Sequence, residues 1–391
     1  MRKISILLII PLLVGILLVP PTPAMAYRSL PFHYGLPADT FRIGGVATTR
    51  AETAQAAAAE LGCDFWTADY HELLARPEID AVDICVPNHL HAAIVEAAAA
   101  AGKHIFCEKP MAMSVAECKE MIKAVEKAGV IAMINFNYRR IPAIELAKIM
   151  VEKGMIGTPY HFRAVYLQDW IIDPDFPLVW RLQKDKAGSG SHGDLNAHII
   201  DMARNLCGEF DSVNGLMKTF IKKRPLPGGE MAGLAKMKGS KEMGEVTVDD
   251  ATVFMAKFKN GAIGTFEATR FAAGNKNGLH FELNGSEGSI RFNIERLNEI
   301  EYFSRKDKEG FQGWKTILAT EASHPFIKGW WPAGHIIGWQ QTFVHQIYTM
   351  MNGIATGKQP TPSFYDGLKC QAVLEAVEKS HESEKWEKVR E

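Results

Sequence analysis

An aspartate and a histidine one helical turn apart, within the stretch GDLNAHIIDMARNL, have the types and spacing for proton transfer. Apolar residues recur there at helical spacing and predict one buried stripe: Leu195, Ile199, Met202 and Leu206. Asp194, His198 and Asp201 share the neighbouring face, and Asp194 stands where a helix N-cap belongs. A carboxylate beside an imidazole orients the ring and favours its charged form, which general acid–base catalysis can use. The alternative is a capping aspartate and a structural, half-buried histidine.

Two further stretches place polar residues directly after apolar runs. In HIFCEKPMAM, Glu108, Lys109 and Pro110 follow a run typical of a buried strand, where charges are costly unless they are paired or functional. In DICVPNHLHAAI, a proline–asparagine turn with His89 and His91 opens the next helix. Ligands bind at the carboxyl ends of strands in open α/β sheets, so both stretches are candidates for a binding site. The alternatives are an ion pair at a strand end and ordinary helix capping.

A literal G-x-G-x-x-G motif runs from Gly188 to Gly193, outside the region of alternating strands and helices. A dinucleotide fingerprint needs a strand before it and a helix after it, whereas RLQKDKA before this motif is no strand. We therefore interpret the motif as a flexible turn that leads into the Asp194 helix. No further ligands stand at the spacing of a metal site, so no metal is predicted.

The elements that must position these side chains follow a pattern of βαβ units. Short, continuous apolar runs predict strands buried on both faces, over Phe41–Ala47, Phe65–Thr67, Ala81–Val86, His104–Cys107 and Val130–Phe136. Helices are predicted between them, over Ala51–Leu61, over His89–Ala101, and from a capping box at Ser114 to Gly129. Repeated strand–helix–strand units indicate a parallel sheet of Rossmann type.

After a helix predicted over Pro142–Gly154, the pattern becomes rich in strands. They are predicted over Tyr160–Trp170, Val213–Lys222, Ala251–Phe258, Ile263–Phe271, Leu279–Leu283, Ser289–Ile294 and Glu299–Phe303. Asn260-Gly261 and Asn284-Gly285 favour hairpin turns, and Arg224–Glu245 is predicted to be a mobile surface loop. Closing helices are predicted near Ile336–Ala355 and Tyr365–Ser383. The predicted fold is an α/β Rossmann-type domain followed by an α+β domain with a large, mostly antiparallel open sheet.

Composition limits the partners and the compartment. The 391 residues carry a formal net charge of -1, so neither nucleic acid nor an anionic membrane surface is predicted as a partner. Six cysteines do not make a disulfide scaffold, and Cys85 and Cys107 lie in apolar runs. Free thiols suit a reducing compartment, which favours the cytoplasm.

The N-terminus favours a different compartment. Two basic residues precede an apolar run from Ile4 to Val19, and Ala24-Met25-Ala26 follows, which matches the three parts of a secretory signal peptide. Residues 1–26 are therefore either such a signal, with export of the protein, or an altered first strand of the sheet. A retained membrane anchor is less favoured, because the run is broken and is shorter than the roughly 20 residues that span a bilayer. No later segment resembles a membrane span.

Taken together, AVDICVPNHLHAAI, GKHIFCEKPMAMSVAE and GSGSHGDLNAHIIDMA resemble the glucose–fructose oxidoreductase, inositol dehydrogenase and MocA-like family (Gfo/Idh/MocA). The order and spacing match from residue 27 to about residue 380, and the closing PTPSFYDGLKCQAVLEAVEKS also resembles the family. The resemblance implies an NAD(P)-binding Rossmann domain over residues 27–140. It also implies a domain for substrate binding and oligomerisation over residues 141–391, in a homodimer or homotetramer.

The resemblance implies hydride transfer between a hydroxyl-bearing carbon of a sugar or polyol, such as an inositol, and a nicotinamide cofactor. Lys109 matches the lysine near the reacting carbon, where it would stabilise the developing oxyanion. His198 matches the histidine that takes the hydroxyl proton, and Asp194 the acid that holds the site and binds the sugar. The cofactor would contact the matching residues Pro87, Asn88, His91, Glu108 and Lys109. Nicotinamide or substrate contacts are implied, from position alone, for Tyr138, Arg139, Trp180 and Arg181.

Two features depart from the family pattern. After the second strand the sequence reads GGVATTRAET, so Thr48 and Thr49 replace the usual ribose-binding acid, and Arg50 suits a 2′-phosphate. We therefore expect NADP or NAD, with a lean to NADP; the alternative for Arg50 is a solvated residue at a helix start. In addition, LLIIPLLVGILLVPPTPAM replaces the expected glycine-rich loop, and Gly15 alone cannot provide the tight turn and close backbone approach of three glycines.

Three hypotheses follow for the function. The first is a sugar or polyol oxidoreductase with an altered N-terminus. The second is an exported relative that carries its cofactor or uses it unusually; because the family includes NAD-using glycosidases, hydrolysis is an alternative reaction here. The third is a non-catalytic protein that senses a sugar or nucleotide, against which the complete set of Lys109, Asp194 and His198 argues. Tryptophans that could stack on a sugar ring, although packing is their commoner role, are Trp170, Trp180, Trp330 and Trp331; His335 could also reach a pocket.

Overall fold

The computed structural model describes residues 4–9, 22–228 and 239–391. Its N-terminal elements are β1 (Ile4–Ile9), α1 (Thr22–His33), β2 (Phe41–Ala47), α2 (Ala51–Leu61), β3 (Trp66–Thr67), α3 (Tyr70–Leu74), β4 (Ala81–Ile84), α4 (His91–Ala100), β5 (His104–Cys107), α5 (Val115–Ala128) and β6 (Ala132–Ile134). Short 3₁₀ helices lie over Asn88–Leu90 and Asn137–Arg140.

The N-terminal strands form one parallel sheet in the order β3-β2-β1-β4-β5-β6. This is the strand order of dinucleotide-binding folds, in which ligands bind where the order reverses, between β1 and β4. All residues of β4 are buried, as are Ile105, Phe106 and Cys107 of β5. The prediction of a parallel sheet covered on both faces is therefore confirmed.

The start of the N-terminal apolar run supplies the central strand of this sheet. In β1, residues from Ile4 to Ile9 pair with β2, and residues from Ile6 to Ile9 also pair with β4. Residues 10–21, which contain the rest of that run up to Val19, lie outside the described residues. The helix α1 was not predicted; its Tyr27 and Leu30 are buried in the core, and Tyr27 donates a hydrogen bond to Asp83 of β4 at 3.1 Å.

The remaining elements are α6 (Pro142–Glu152), β7 (Pro159–Leu167), α7 (Lys184–Ala187), α8 (Ala197–Leu206), β8 (Phe210–Lys218), β9 (Lys223–Pro227), β10 (Gly239–Glu245), β11 (Ala251–Phe258), β12 (Ile263–Thr269), β13 (Gly278–Gly285), β14 (Gly288–Asn293), β15 (Glu299–Ser304), β16 (Lys315–Leu318), α9 (Trp339–Thr356), α10 (Phe364–Ser383) and β17 (Glu387–Lys388). A π-helical turn over His192–Asn196 leads directly into α8, and 3₁₀ helices lie over Trp180–Leu182, Ile294–Arg296 and Ile327–Gly329.

Nine of these strands form a second sheet, in the order β16-β15-β14-β13-β7-β12-β11-β8-β17. Among the described strands of this second sheet, only the β7–β12 pair is parallel, so the prediction of a mostly antiparallel sheet is confirmed. Burial alternates along β11, because one face of the sheet is covered by α8, at β7 and β13, and by α10, at β8, while the other face lies open. Leu216, Val253 and Met255 are exposed on that open face.

The predicted mobile loop over Arg224–Glu245 is wrong at both ends. Residues 223–227 and 239–245 pair as the antiparallel strands β9 and β10, while residues 229–238 lie outside the described residues. Arg224 is fully buried, and its guanidinium donates hydrogen bonds to the carbonyl oxygens of Ile171 at 2.5 Å and Asp173 at 2.7 Å. These tertiary bonds, which the glycine- and lysine-rich sequence does not indicate, hold the segment in place.

A buried ion-pair network fixes α8 against the rest of the protein. Arg139 donates to both carboxylate oxygens of Asp201 in α8, at 2.7 and 2.5 Å, and to Asp366 of α10 at 3.0 Å. Its side chain is only 8% exposed and that of Asp201 only 2%. In this structure the guanidinium is occupied by carboxylates from two helices, and the predicted contact of Arg139 with substrate or nicotinamide stays a prediction.

Removal of the first strand should prevent folding. A chain that begins at residue 22 lacks β1, which leaves the facing edges of β2 and β4 unpaired in the middle of the sheet. That loss exceeds what a typical domain stability of about 5–15 kcal/mol can tolerate. We expect aggregation or the absence of a cooperative unfolding transition by circular dichroism. Removal of residues 387–391, which include the two-residue edge strand β17, is the control and should leave the transition in place; a cooperatively folding chain without β1 would contradict the sheet described.

Arg139→Met should destabilise the protein without changing substrate affinity. The substitution leaves Asp201 buried beside Asp366 without its main cation, and breaking a buried pair from one side costs about 3–5 kcal/mol. Chemical denaturation measures this loss, with the exposed Arg163→Met as the control, for which we expect a change within about 0.5 kcal/mol. A raised KM at undiminished stability would instead return Arg139 to the substrate site.

Candidate active site

A cavity of about 220 Å³ opens at the carboxyl ends of β4 and β5. Its lining residues are Cys85, Val86, Asn88, Glu108, Lys109, Pro110, Trp180, Arg181, Ala187, Ser189, Asp194 and Arg270. The cavity thus joins both strand-end stretches of the first domain to the turn that carries Asp194. The final contributor, Arg270, comes from the end of β12 in the second sheet.

The turn Gly188–Gly193 is fixed by a buried carboxylate that the sequence did not single out. Asp249 accepts hydrogen bonds from the backbone of Gly190 at 2.7 Å, from the Ser191 hydroxyl at 2.5 Å and from the backbone of His192 at 2.8 Å. A Cβ atom at position 190 would lie 1.9 Å from the Asp249 carbonyl oxygen, so glycine is required there. The motif is therefore not a nucleotide loop, and the flexible turn that we predicted is a hydrogen-bonded one.

Asp194 lies inside the π-helical turn and not at a helix N-cap. Its Oδ1 accepts a hydrogen bond from Lys109 Nζ at 2.6 Å, and its Oδ2 accepts one from Arg270 at 2.7 Å. Lys109 Nζ also donates to the Asp194 carbonyl oxygen at 2.8 Å. Burial alone would raise the pKa of Asp194, but the charges of Lys109, Arg270 and Arg181 outweigh it and hold the pKa well below its ordinary value. The carboxylate is therefore ionised.

His198 is adjacent to this pair but is not bonded to Asp194. Both Asp194 oxygens are taken by cations, and within the described residues His198 Nδ1 is buried without a hydrogen-bond partner. Burial and the charge of Lys109 hold the pKa of His198 well below its ordinary value, which Asp194 only partly opposes. The expectation of a charged, carboxylate-oriented imidazole is thus wrong: the ring is neutral. His198 is 7% exposed and is not part of the cavity lining.

The ring of His198 is oriented by an aromatic neighbour. It stacks on Tyr138, with ring centroids 4.2 Å apart and an interplanar angle of 23°. The Tyr138 hydroxyl lies 2.8 Å from that of Tyr166 and accepts a hydrogen bond from Trp339 at 3.2 Å. Tyr138 is buried, so in this structure it supports His198, and its predicted contact with substrate or nicotinamide stays a prediction.

Four further predicted residues lie at the cavity: Asn88, Glu108, Trp180 and Arg181. Asn88 donates to the Ala187 carbonyl oxygen at 2.8 Å. Glu108 accepts hydrogen bonds from Asn135 at 2.5 Å and from the Lys109 backbone at 3.2 Å, and burial raises its pKa. Arg181 packs over the Trp180 ring at 4.4 Å, and burial lowers the pKa of its guanidinium.

The remaining predicted cofactor residues do not line this cavity. His91 is buried, and its ring nitrogens lie 3.0 Å from the Pro110 and 2.9 Å from the Val86 carbonyl oxygens. In this structure it therefore holds the cavity loops, and its predicted contact with the cofactor stays a prediction. Pro87 only precedes the 3₁₀ helix Asn88–Leu90. Thr48, Thr49 and Arg50 follow β2 at the same edge of the sheet; the Thr48 hydroxyl lies 2.6 Å from that of Thr53, while Thr49 and Arg50 are exposed.

The tryptophans singled out for sugar stacking have several roles. Trp170 packs over the guanidinium of Arg270, at 5.2 Å. Trp330 donates a hydrogen bond to His345 at 2.6 Å and packs on His33, so it is a packing residue. Trp331 is 70% exposed, and His335 is exposed beside the Pro332 carbonyl oxygen at 2.8 Å.

Arg270 is the main site residue that the sequence did not single out. It is only 1% exposed at the end of β12, where it contacts the carboxylate that Lys109 also binds. A charged residue at the end of a buried strand is the same signal that pointed to Lys109. Within the described ranges 4–9, 22–228 and 239–391, no three His, Cys, Asp or Glu side chains cluster as metal ligands, and no helix is long and apolar enough to cross a membrane. All six cysteines are free thiols.

Comparison with known proteins places this geometry in a family. Residues 27–136 match the family described as "Oxidoreductase family, NAD-binding Rossmann fold", and residues 144–291 match the "GFO/IDH/MocA C-terminal domain". Levoglucosan dehydrogenase of Pseudarthrobacter phenanthrenivorans is 42% identical over 366 residues, which cover 93% of each chain.

Solved structures agree over the whole length. An oxidoreductase domain protein from Kribbella flavida is 44% identical, with a TM-score of 0.92, and levoglucosan dehydrogenase in complex with NADH is 39% identical, with a TM-score of 0.91. Each comparison covers 100% of both chains. The chain therefore belongs to the Gfo/Idh/MocA family of oxidoreductases, and its first domain is an NAD-binding Rossmann fold.

Proposed function

We propose that the protein is an NAD(P)-dependent dehydrogenase that oxidises a hydroxyl-bearing carbon of a sugar or polyol. The observation that carries the proposal is the Lys109–Asp194 ion pair at the carboxyl edge of the Rossmann sheet, with the neutral His198 one turn after Asp194. Similarity to levoglucosan dehydrogenase makes anhydro-sugars the first substrates to test, and inositols follow because inositol 2-dehydrogenases are more distant relatives.

The carboxyl edge of the first sheet fits a nicotinamide dinucleotide. The strand order matches dinucleotide-binding folds, and the cavity lies beside the reversal between β1 and β4. Asn88 and Glu108 would hold the cofactor near the cavity, and Thr48, Thr49 and Arg50 would lie at its adenosine ribose. When bound, the cofactor supplies the acceptor or donor of the hydride. Thiols that stay free suit a reducing compartment, so we retain the cytoplasm as the expected location, with export as the alternative.

Lys109 is placed to stabilise negative charge on the substrate oxygen. Its side chain is 13% exposed and lies at the cavity, and its ammonium group is bound on one side by Asp194. A preorganised cation stabilises a developing alkoxide most strongly where water is excluded. Asp194 holds the ammonium group in position through its Oδ1 and its carbonyl oxygen.

His198 is the base in this proposal. A neutral imidazole can accept the hydroxyl proton, whereas the charged ring cannot. Burial lowers its pKa, and the Lys109 charge lowers it further, so the neutral form is present throughout the physiological range. The ring of His198 is fixed by Tyr138 and not by a carboxylate, and its Nδ1 makes no hydrogen bond to any described residue.

Lys109→Met and His198→Asn should each lower kcat/KM for sugar oxidation by about 10²–10⁴-fold, because each removes a group that acts on the reacting hydroxyl. Reduced cofactor is followed at 340 nm with levoglucosan, myo-inositol and glucose. In the wild type, kcat/KM should not fall between about pH 8 and about pH 6.5, since His198 protonates only below its ordinary value.

The exposed Lys127→Met and His71→Asn serve as matched controls and should retain full activity. Activity of the Lys109 and His198 variants equal to that of the wild type would exclude the catalytic assignment.

A specific observation favours a second function, the sensing of a sugar or nucleotide: the chain lacks a glycine-rich loop between β1 and α1. Cofactor or sugar binding without turnover on any of these substrates would support that alternative.

The choice of cofactor depends on Arg50. The levoglucosan dehydrogenase structure contains NADH, which favours NAD, whereas an exposed Arg50 after β2 in place of an acid favours NADP. We keep the lean to NADP and expect Arg50→Ser to weaken NADPH binding at least about tenfold, since a charge-assisted hydrogen bond contributes about 1.5–3 kcal/mol. Fluorescence titration with NADPH and NADH measures both affinities. If NADH binds more tightly than NADPH and Arg50→Ser changes neither affinity, Arg50 is a solvated surface residue without a role in cofactor binding. Arg305→Ser is the control and should leave both affinities unchanged.

We also retain the expectation of a homodimer or homotetramer. It is supported by the open face of the nine-stranded sheet, where Leu216, Val253 and Met255 are at least 49% exposed. Arginines and glutamates alternate on the same face, among them Arg163, Arg291, Glu282 and Glu301, so a second copy could pair with it.

A further inference from the structure

The carboxylate of Asp194 is held by one cation from each sheet. Lys109 follows β5 of the parallel sheet and binds Oδ1 at 2.6 Å. Arg270 follows β12 of the antiparallel sheet and binds Oδ2 at 2.7 Å. The two oxygens therefore connect the cofactor-binding half of the protein to the other half.

Arg270 is buried and held in one orientation. Its side chain is 1% exposed, and its guanidinium carbon lies 5.2 Å from the centroid of the Trp170 ring. Within the described residues, Nε and Nη1 of Arg270 are buried and have no hydrogen-bond acceptor, so Asp194 is the carboxylate that it contacts. Burying a guanidinium with unpaired donors is costly. Such a cost at the lining of the cavity points to a role in the site.

Trp170 is itself fixed by polar neighbours. Its indole nitrogen donates to Gln168 Oε1 at 2.9 Å, and Gln168 donates to Asn277 at 3.3 Å. Asn277 also accepts a hydrogen bond from the Tyr166 hydroxyl at 2.7 Å. The Trp170 ring against which Arg270 packs is therefore fixed in place. Arg270 can in turn orient the Asp194 carboxylate so that its Oδ1 faces Lys109.

We propose that Arg270 is a positioning residue: by binding Oδ2 of Asp194, it turns Oδ1 toward Lys109, which places the ammonium group at the reacting oxygen. The inference rests on the proposed function, since it assigns Lys109 a role in the reaction. Arg270 itself is not a catalytic residue here, because no described contact joins it to the reacting groups except through Asp194.

The electrostatics of Asp194 give the proposal a distinct signature. The titratable groups around its carboxylate are Lys109, Arg270, Arg181, His198, Glu108, Tyr138 and Tyr166. Burial raises the pKa of Asp194, and the three cations lower it by more. A group with a lowered pKa stabilises the folded state at pH values above its unfolded pKa, and this stabilisation is lost as the pH falls through its folded pKa. Without Arg270, the pKa of Asp194 should rise, and Asp194 should protonate at a higher pH.

The test uses two neutral variants and one conservative one. Arg270→Gln keeps a polar side chain; Arg270→Met replaces the unpaired donors by an apolar chain of similar length, so it keeps the test valid if the glutamine variant does not fold. Arg270→Lys restores the charge. Arg305→Gln, at an exposed arginine in the turn after β15, is the control. The first measurement is the titration of the Asp194 carboxyl carbon by NMR in aspartate-labelled protein without cofactor, with Asp194→Asn to assign the signal.

We expect the titration to move to higher pH in both neutral variants and to return part of the way in Arg270→Lys. The kcat/KM at neutral pH should fall by about 10²-fold, as for the loss of one preorganised charge contact, and its acid limb should move to higher pH with the titration. A merely structural role would lower activity equally at all pH values. An unchanged titration, or a shifted titration with undiminished kcat/KM, would overturn the proposal.

The NMR titration separates this inference from the proposed function. If the wild type oxidises no sugar or polyol, the proposed function fails, whereas the titration still shows whether Arg270 controls the charge of Asp194. If the wild type is active but Arg270→Met matches it in kcat/KM, the positioning role fails and the proposed function stands.

Discussion

The ion pairs of one carboxylate set the geometry on which the rest of the structure depends. Asp194 can hold Lys109 and Arg270 together only if the ends of β5 and β12, from two different sheets, reach the same point. The fold achieves this by placing α8 between them: its buried face packs on the second sheet, and the π-helical turn before it projects Asp194 toward the first. A carboxylate between two cations stays charged despite its partial burial, while the adjacent histidine stays neutral.

Each of these positions is fixed by a second group that takes no part in the chemistry. Asp249 fixes the turn before Asp194 through the backbone of Gly190 and His192. Arg139 fixes the following helix through Asp201. Such contacts explain why the helix carries so many charged residues at buried positions: they connect α8 to its neighbours, because an unpaired charge there would be unstable.

The sequence was informative where the decisive interactions are local or periodic. The strands β2, β5 and β11 and the helix α2 have the predicted bounds, because apolar runs and alternation depend only on neighbouring residues. Lys109 and Asp194 came from their positions at a strand end and before a helix. Partners distant in sequence were not predictable. The sequence suggests a ligand contact for Arg139, whereas the fold pairs it with Asp201, 62 residues away. His91 likewise contacts the carbonyl oxygens of Pro110 and Val86 in this structure, because the fold brings Pro110 beside it.

The N-terminal run shows the same limit in another form. A signal peptide and a strand buried on both faces both require continuous apolar sequence, so composition cannot separate them; pairing of Ile4–Ile9 with two neighbouring strands is a tertiary property. The match to the Rossmann family begins at residue 27, after the segment that lacks the glycines. Yet Lys109, Asp194 and Arg270 are placed by β5, α8 and β12. The geometry of the reacting groups is therefore set by elements separate from the segment that departs from the family. Weaker binding of the cofactor phosphates by that segment would leave the geometry of the reacting groups unchanged.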